Sequence, residues 1–254
     1  MTTNLEQAQN MEPQDATKRS GIGPVFKVIF VAVGIFLGTQ VAILVLCALG
    51  FYMLNDFSFT GYGDWVTSIV GAIFITLFAS IISIPILKSA SKKSSIEELL
   101  DYWAIGKIES LALAKCLAIA LVIYGIWYLA SFVVEIPPEP FMEQLFEAAK
   151  SSIPMFLLTF LMVSIVAPIF EEVFFRGWLF SEFKQTVLGT IGALLATSFL
   201  FTLVHANYQT PYTFFQIFCM GLFFGLIRVK TNNISYAVLC HMFYNTIVLM
   251  EVFS

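Results

Sequence analysis

Residues 165–177 read Ile-Val-Ala-Pro-Ile-Phe-Glu-Glu-Val-Phe-Phe-Arg-Gly, and three charges, Glu171, Glu172 and Arg176, stand in a run otherwise apolar enough to lie inside a bilayer. An ionisable group at membrane depth is costly, so it faces a protein interior and has a partner or a task. On a helix, residues four apart share a face, which lets Arg176 pair with Glu172. Glu171 is rotated from its neighbour by about 100° and points elsewhere, so it needs a partner from another segment. Pro168, one turn earlier, removes a backbone hydrogen bond and is expected to kink the helix beside the charges.

The whole chain supports a membrane setting for that run. Of its 254 residues 59% are hydrophobic and only 12% are charged, about half the share usual in soluble domains. The net charge of -4 offers no basic face for phosphates, which argues against nucleic acid as a partner. Cys47, Cys116, Cys219 and Cys240 all fall in apolar runs without a C-x-x-C pair and read as small core residues. The polar stretch 1–23 reads as a disordered cytosolic tail. The apolar segment after it is too long for a signal-peptide core, so no cleavage is expected there.

A helix needs around 20 apolar residues to cross a hydrocarbon core of about 30 Å. Seven stretches qualify as candidates: Phe26 to Met53, Val66 to Leu87, Leu111 to Val134, Ile153 to about Phe183, Leu188 to His205, Thr213 to Val229 and Ile234 to Phe253. The expected fold is an all-α, polytopic transmembrane helical bundle of about seven spans. Lys and Arg gather on the cytoplasmic side of membrane proteins. Here they flank alternate loops: Lys18, Arg19 and Lys27, then Lys88, Lys92, Lys93 and Lys107, then Lys184, then Arg228 and Lys230. That alternation predicts a cytoplasmic N-terminus and a C-terminus outside. Two loops, Ser94 to Glu109 and Phe141 to Lys150, have helical apolar spacing and read as interfacial amphipathic helices. Residues 24–152 thus hold three spans with interfacial helices, and 153–254 hold the chemistry.

The chain's two histidines, His205 and His241, both lie in the later spans, and Asn245 shares a helix face with His241. Counting from the cytoplasmic helix ends at about 1.5 Å per residue allows Glu171, His205, His241 and Asn245 to meet in one cavity. A glutamate can take a proton from water, imidazoles can orient that water or hold a divalent metal, and an amide can steady a developing oxyanion. Hydrolysis of a peptide bond is the natural reaction class. No H-E-x-x-H helix and no G-x-S-x-G elbow is present. Gly221 and Gly225, a G-x-x-x-G pair, are expected to let helices pack closely within the molecule.

Glu171-Glu172-x-x-x-Arg176, Phe201-x-x-x-His205 and His241-x-x-x-Asn245, in that order on separate spans, resemble the motifs of the CPBP intramembrane metalloprotease family, which includes CAAX prenyl endopeptidases of the Rce1 type and bacterial Abi proteins. The resemblance covers roughly Ile153 to Ser254. It implies that Glu171 is the catalytic glutamate, that His205 and His241 are the site histidines, that Asn245 helps to hold the oxyanion, and that Glu172 with Arg176 is a supporting pair. It leaves two options for the cofactor: a divalent metal such as zinc on His205, His241 and Glu171, or a metal-free site. The implied substrate is a membrane-associated protein or peptide. The expected location is a bacterial inner membrane, with the endoplasmic reticulum membrane as the alternative. Two other classes stay open: a proton-coupled transporter using Glu171 and the histidines as a relay, and a non-catalytic immunity or scaffold protein on the same fold.

Overall fold

A computed structural model describes residues 21–54, 58, 60–134, 139–205 and 210–253. All but the last three residues of the polar tail expected at 1–23 lie outside the described residues. Among the described residues every regular element is helical. In chain order these are α1 (Gly23–Leu54), α2 (Tyr62–Thr67), α3 (Ile69–Ser91), α4 (Ile96–Tyr102), α5 (Ser110–Ser131), α6 (Pro140–Ser151), α7 (Ile153–Lys184), α8 (Gly189–Leu203), α9 (Pro211–Thr231) and α10 (Ile234–Met250), which ends in a 3₁₀ turn, Glu251–Phe253. The protein is an all-α, multi-pass bundle. Six helices, α1, α3, α5, α7, α9 and α10 with its terminal turn, are long and apolar enough to cross a membrane.

The seventh expected span departs from this. α8 has 15 residues and rises about 22 Å, short of a full crossing. Its start is set by Gly189, whose φ of 59° ends the preceding turn in the left-handed region. The helix expected over Ser94 to Glu109 is also shorter than its pattern. α4 is capped by Ser95, whose hydroxyl accepts from Glu98 N, but it stops at Tyr102. Trp103 is buried with its indole N–H donating to Ser91 Oγ, and Ala104 turns to φ 54°. The chain then runs extended against the α9–α10 turn, with Ile234 N donating to Ala104 O and Gly106 N to Asn233 Oδ1. Amphipathic spacing continued past Tyr102, but tertiary hydrogen bonds took over the backbone.

The core is built around α7. Its second half buries Phe174, Phe175, Trp178, Phe180 and Phe183, which pack against Leu87 of α3, Phe201 of α8 and Ile234 of α10. Pro168 is expected to kink this helix; what surrounds it is a widening. π-helical turns at Leu161–Val166 and Glu172–Leu179 flank the short α-helical piece Ala167–Glu171. A wider turn absorbs the bond that a proline cannot make. Glu171 and Glu172 fall at the junction.

α8 and α9 approach closely where Gly221 and Gly225 face them. A Cβ on Gly221 would meet Ser198 Cα, Cβ and O, each at 3.3 Å, and one on Gly225 would meet Leu194 Cδ1 at 2.4 Å. The small-residue pair therefore serves close packing within the molecule. Gly221→Val is expected to destabilise the bundle by about 1–3 kcal/mol, since Ser198 opposes it with main chain that cannot rotate away. Thermal unfolding in detergent would read this as a clear fall in Tm; an unchanged Tm would show that the two helices do not meet there.

Candidate active site

α7 supplies the acids, α8 and α10 the imidazoles. Glu172 and Arg176 are fully buried, with Arg176 Nη1 donating to Glu172 Oε1 at 2.9 Å. Arg176 Nη2 donates to Gly221 O at 2.9 Å, and the guanidinium lies 4.4 Å from the centre of the Phe201 ring. The cation is thus held by one carboxylate, one carbonyl and an aromatic face, while Arg176 Nε and Glu172 Oε2 are buried with no hydrogen-bond partner among the described residues.

The same carboxylate oxygen reaches a second group. His241 Nδ1 lies 3.0 Å from Glu172 Oε1. His205 Nδ1 lies 2.7 Å from Phe201 O, an atom that can only accept. These partners assign the proton to Nδ1 on both rings. In the neutral form of each ring an Nε2 lone pair then faces Glu171: His205 Nε2 is 4.0 Å from Oε1 and His241 Nε2 is 3.7 Å from Oε2. Both gaps are too long for a direct hydrogen bond and short enough for one water to bridge. Phe224 stacks on His241 with centroids 4.5 Å apart, and Phe201 sits 4.7 Å from His205. The rings cannot swing freely.

The structure therefore brings Glu171, His205 and His241 to one point and ties Glu172 and Arg176 to it through His241. Asn245 lies beside them, lining the same two cavities as Glu171 and His205. Its Nδ2 donates to Val163 O at 3.0 Å, across the first π-helical turn of α7. An amide nitrogen carries two hydrogens, so one is left to serve a ligand. Glu171 is 18% exposed while Glu172 is fully buried, which separates the residue that can meet a reactant from the one that cannot.

For a metal, the donor types fit: two unprotonated imidazole nitrogens and a carboxylate. The spacing is slightly open. Bonds of about 2.0–2.2 Å in a tetrahedron put donor atoms about 3.4 Å apart, and among the described residues no group of three His, Cys, Asp or Glu is gathered closely enough to hold an ion.

Residues 153–247 match the family model described as type II CAAX prenyl endopeptidase Rce1-like. Over that segment the chain is similar to the Rce1-like CAAX prenyl endopeptidases. Among its relatives is an uncharacterized 24.3 kDa protein of Escherichia coli, 37% identical over 135 residues that make up 52% of this chain and 60% of the relative. Another is the membrane-embedded CAAX protease MroQ of Staphylococcus aureus, 30% identical over 39% of each chain. A third, UPF0177 protein YbdI of Lactococcus lactis, is 28% identical over 41% of this chain and 56% of the relative. The matches thus span between 39% and 60% of the relatives' own lengths. No solved structure matches.

Glu171, Glu172, Arg176, His205, His241 and Asn245 all lie within the matched range. Sequence reading placed Phe201 in a motif but not its packing: its ring lies beneath the Arg176 guanidinium and against both imidazoles, tilted to His205 and nearly perpendicular to His241. It also missed the cavity walls supplied from outside the segment, Glu139 of the α6 entry and Tyr124 of α5 among them.

Proposed function

We propose that the protein is an intramembrane endopeptidase that hydrolyses a peptide bond in or near the bilayer with a water activated by Glu171. The observation that carries this reading is the pair of Nδ1-anchored imidazoles whose Nε2 atoms face the Glu171 carboxylate at 3.7 and 4.0 Å. A water placed there donates one hydrogen to Glu171 and the other to one imidazole Nε2, and has a lone pair directed outward. Glu171 takes one proton as the oxygen attacks the carbonyl carbon, and delivers it to the departing nitrogen as the C–N bond breaks. The free N–H of Asn245 donates to the oxyanion of the tetrahedral intermediate.

His241 is positioned by Glu172, and Glu172 by Arg176, so the buried pair acts through the ring it holds and does not touch the reactant. A divalent ion such as zinc, if bound, would sit on His205 Nε2, His241 Nε2 and Glu171 and would acidify the same water. The charge alternation of the loops suits a bacterial inner membrane, our reading, and an endoplasmic reticulum membrane, the alternative, equally well.

The reading is tested with purified protein in liposomes, incubated with apolar peptides and followed by mass spectrometry. Cleavage is expected, and Asn245→Ala is expected to lower its rate by about 10²–10³-fold, the usual loss for an oxyanion donor. Proton-coupled uptake without any hydrolysis would replace the peptidase by a transporter. A cellular phenotype rescued in full by a Glu171→Gln variant would assign a scaffold instead.

A further inference from the structure

A cavity of about 490 Å³ opens beside Glu171 and His205, walled by α1, α3, α6 and α7. Most of its wall is apolar, with Ile73, Leu145, Met162 and Phe170. Set among these are Gln40 of α1 and Thr76 and Ser80 of α3, the last two four residues apart on one helix face. Ser83 Oγ lies 3.1 Å from Thr39 Oγ1, which fixes the register of α1 against α3 and brings Gln40 within about one turn of the height of Ser80. All three side chains stand well inside helices long enough to cross a membrane. Apart from Glu171 and His205, the described residues lining the cavity carry no ionisable group.

The hydrogen-bonding groups of the three are unused. A hydroxyl in an apolar helix commonly returns its proton to the carbonyl one turn back, as Ser83 does to Ala79 O at 2.7 Å, Ser91 to Leu87 O at 2.7 Å and Thr39 to Ile35 O at 2.9 Å. Thr76 and Ser80 do not, and among the described residues neither they nor Gln40 have a hydrogen-bond partner, although Ser80 is only 2% exposed. A polar group at membrane depth without a partner is costly, so three on one wall beside a candidate base call for a ligand that completes them. The amide offers two donors and an acceptor, and each hydroxyl offers one donor and an acceptor. Water would suit these groups and not the apolar wall around them. A peptide main chain that carries apolar side chains suits both.

Resting on the peptidase reading, we propose that Gln40, Thr76 and Ser80 bind the main chain of the substrate beside the scissile bond. A helix in a bilayer bonds its N–H and C=O groups internally, and exposing one carbonyl to attack means unwinding a turn and freeing those groups where no water meets them. The amide and the two hydroxyls take up the freed groups, while Ile73, Leu145, Met162 and Phe170 receive the apolar side chains. The three residues lie outside the segment 153–247 that matches the family model, which gives α1 and α3 a part in holding substrate.

The probe is a dye-labelled apolar peptide of about 20 residues, Leu and Ala with a central Gly pair, long enough to span a bilayer. A second peptide has ester oxygens in place of the amide N–H groups around that pair. Binding of each is read by fluorescence anisotropy with the full chain carrying Glu171→Gln in nanodiscs of zwitterionic lipid, so that no peptide is consumed. The ester also loosens the free peptide, so the contact is read from how the ratio of the two Kd values changes when the protein is altered. Gln40→Met, Thr76→Val and Ser80→Ala together are expected to shift that ratio about tenfold toward the ester peptide, and Thr76→Val alone about threefold, since each hydrogen bond contributes modestly. Neither change removes a hydrogen bond within the protein, and an unchanged Tm in detergent is expected; the single variant decides should the triple one not fold. A ratio that stays the same overturns the proposal, as does the absence of binding by either peptide. Slower turnover at unchanged affinity overturns it too and assigns the three groups to water. The peptidase reading fails on a different measurement: with Glu171 restored, an all-amide peptide that binds with the expected dependence and is never cut would refute hydrolysis and keep the main-chain site.

Discussion

Replacing Glu171 by Gln is expected to lower peptide turnover by about 10²–10⁴-fold, the range that a positioned general base contributes. The substitution keeps the shape of the side chain and removes its ability to take a proton. It should leave the fold intact, because Glu171 reaches its imidazole neighbours only across gaps of 3.7 and 4.0 Å and is partly exposed to the cavities. The check is paired: turnover in liposomes, and thermal unfolding in detergent. A large loss of turnover with unchanged Tm supports the base, whereas full activity would remove Glu171 from the chemistry and with it the proposed reaction.

Breaking the buried pair should act in the opposite order, on stability first. Glu172→Ala leaves the Arg176 guanidinium fully buried with one carbonyl and an aromatic face, and an uncompensated buried charge costs about 3–5 kcal/mol. A marked fall in Tm or loss of folded protein is expected. The double replacement Glu172→Leu with Arg176→Met is the informative companion, since an apolar pair of similar volume often restores what a broken ion pair loses. It should recover much of the Tm and little of the activity, because His241 Nδ1 has lost the acceptor that fixes its proton. Recovery of both would show that the pair is structural only.

The bundle was legible in the sequence because lipid tolerates few backbone forms. Runs such as 26–53 and 111–134 must be helices if they lie in hydrocarbon, and the observed ends differ from the expected ones by few residues. α8 was harder. Thr197, Ser198 and Thr202 satisfy their hydroxyls on main-chain carbonyls of Ala193, Leu194 and Ser198, so the run looks less polar in place than on paper, and the early stop at Leu203 leaves no apolar signature. The four-residue spacings, Glu172 to Arg176 and His241 to Asn245, placed side chains on shared faces because that relation is local. The Glu172 to His241 hydrogen bond joins residues 69 apart, and only the resemblance of the motifs tied those segments together in advance. The π-helical turns beside Glu171 had a single hint, Pro168. The contacts of Tyr124 with Glu251, across 127 residues, and of Glu139 with Thr210, across 71, had none.

The short α8 has a consequence for the surrounding lipid. A helix of about 22 Å beside a hydrocarbon core of about 30 Å is a mismatch that local thinning of the bilayer would accommodate. His205 follows the last residues of α8, so such a dent would form on the flank nearest the two Nε2 atoms. Headgroups and hydration drawn inward at that spot would give a site enclosed by greasy walls a short supply line for the water that the proposed hydrolysis consumes.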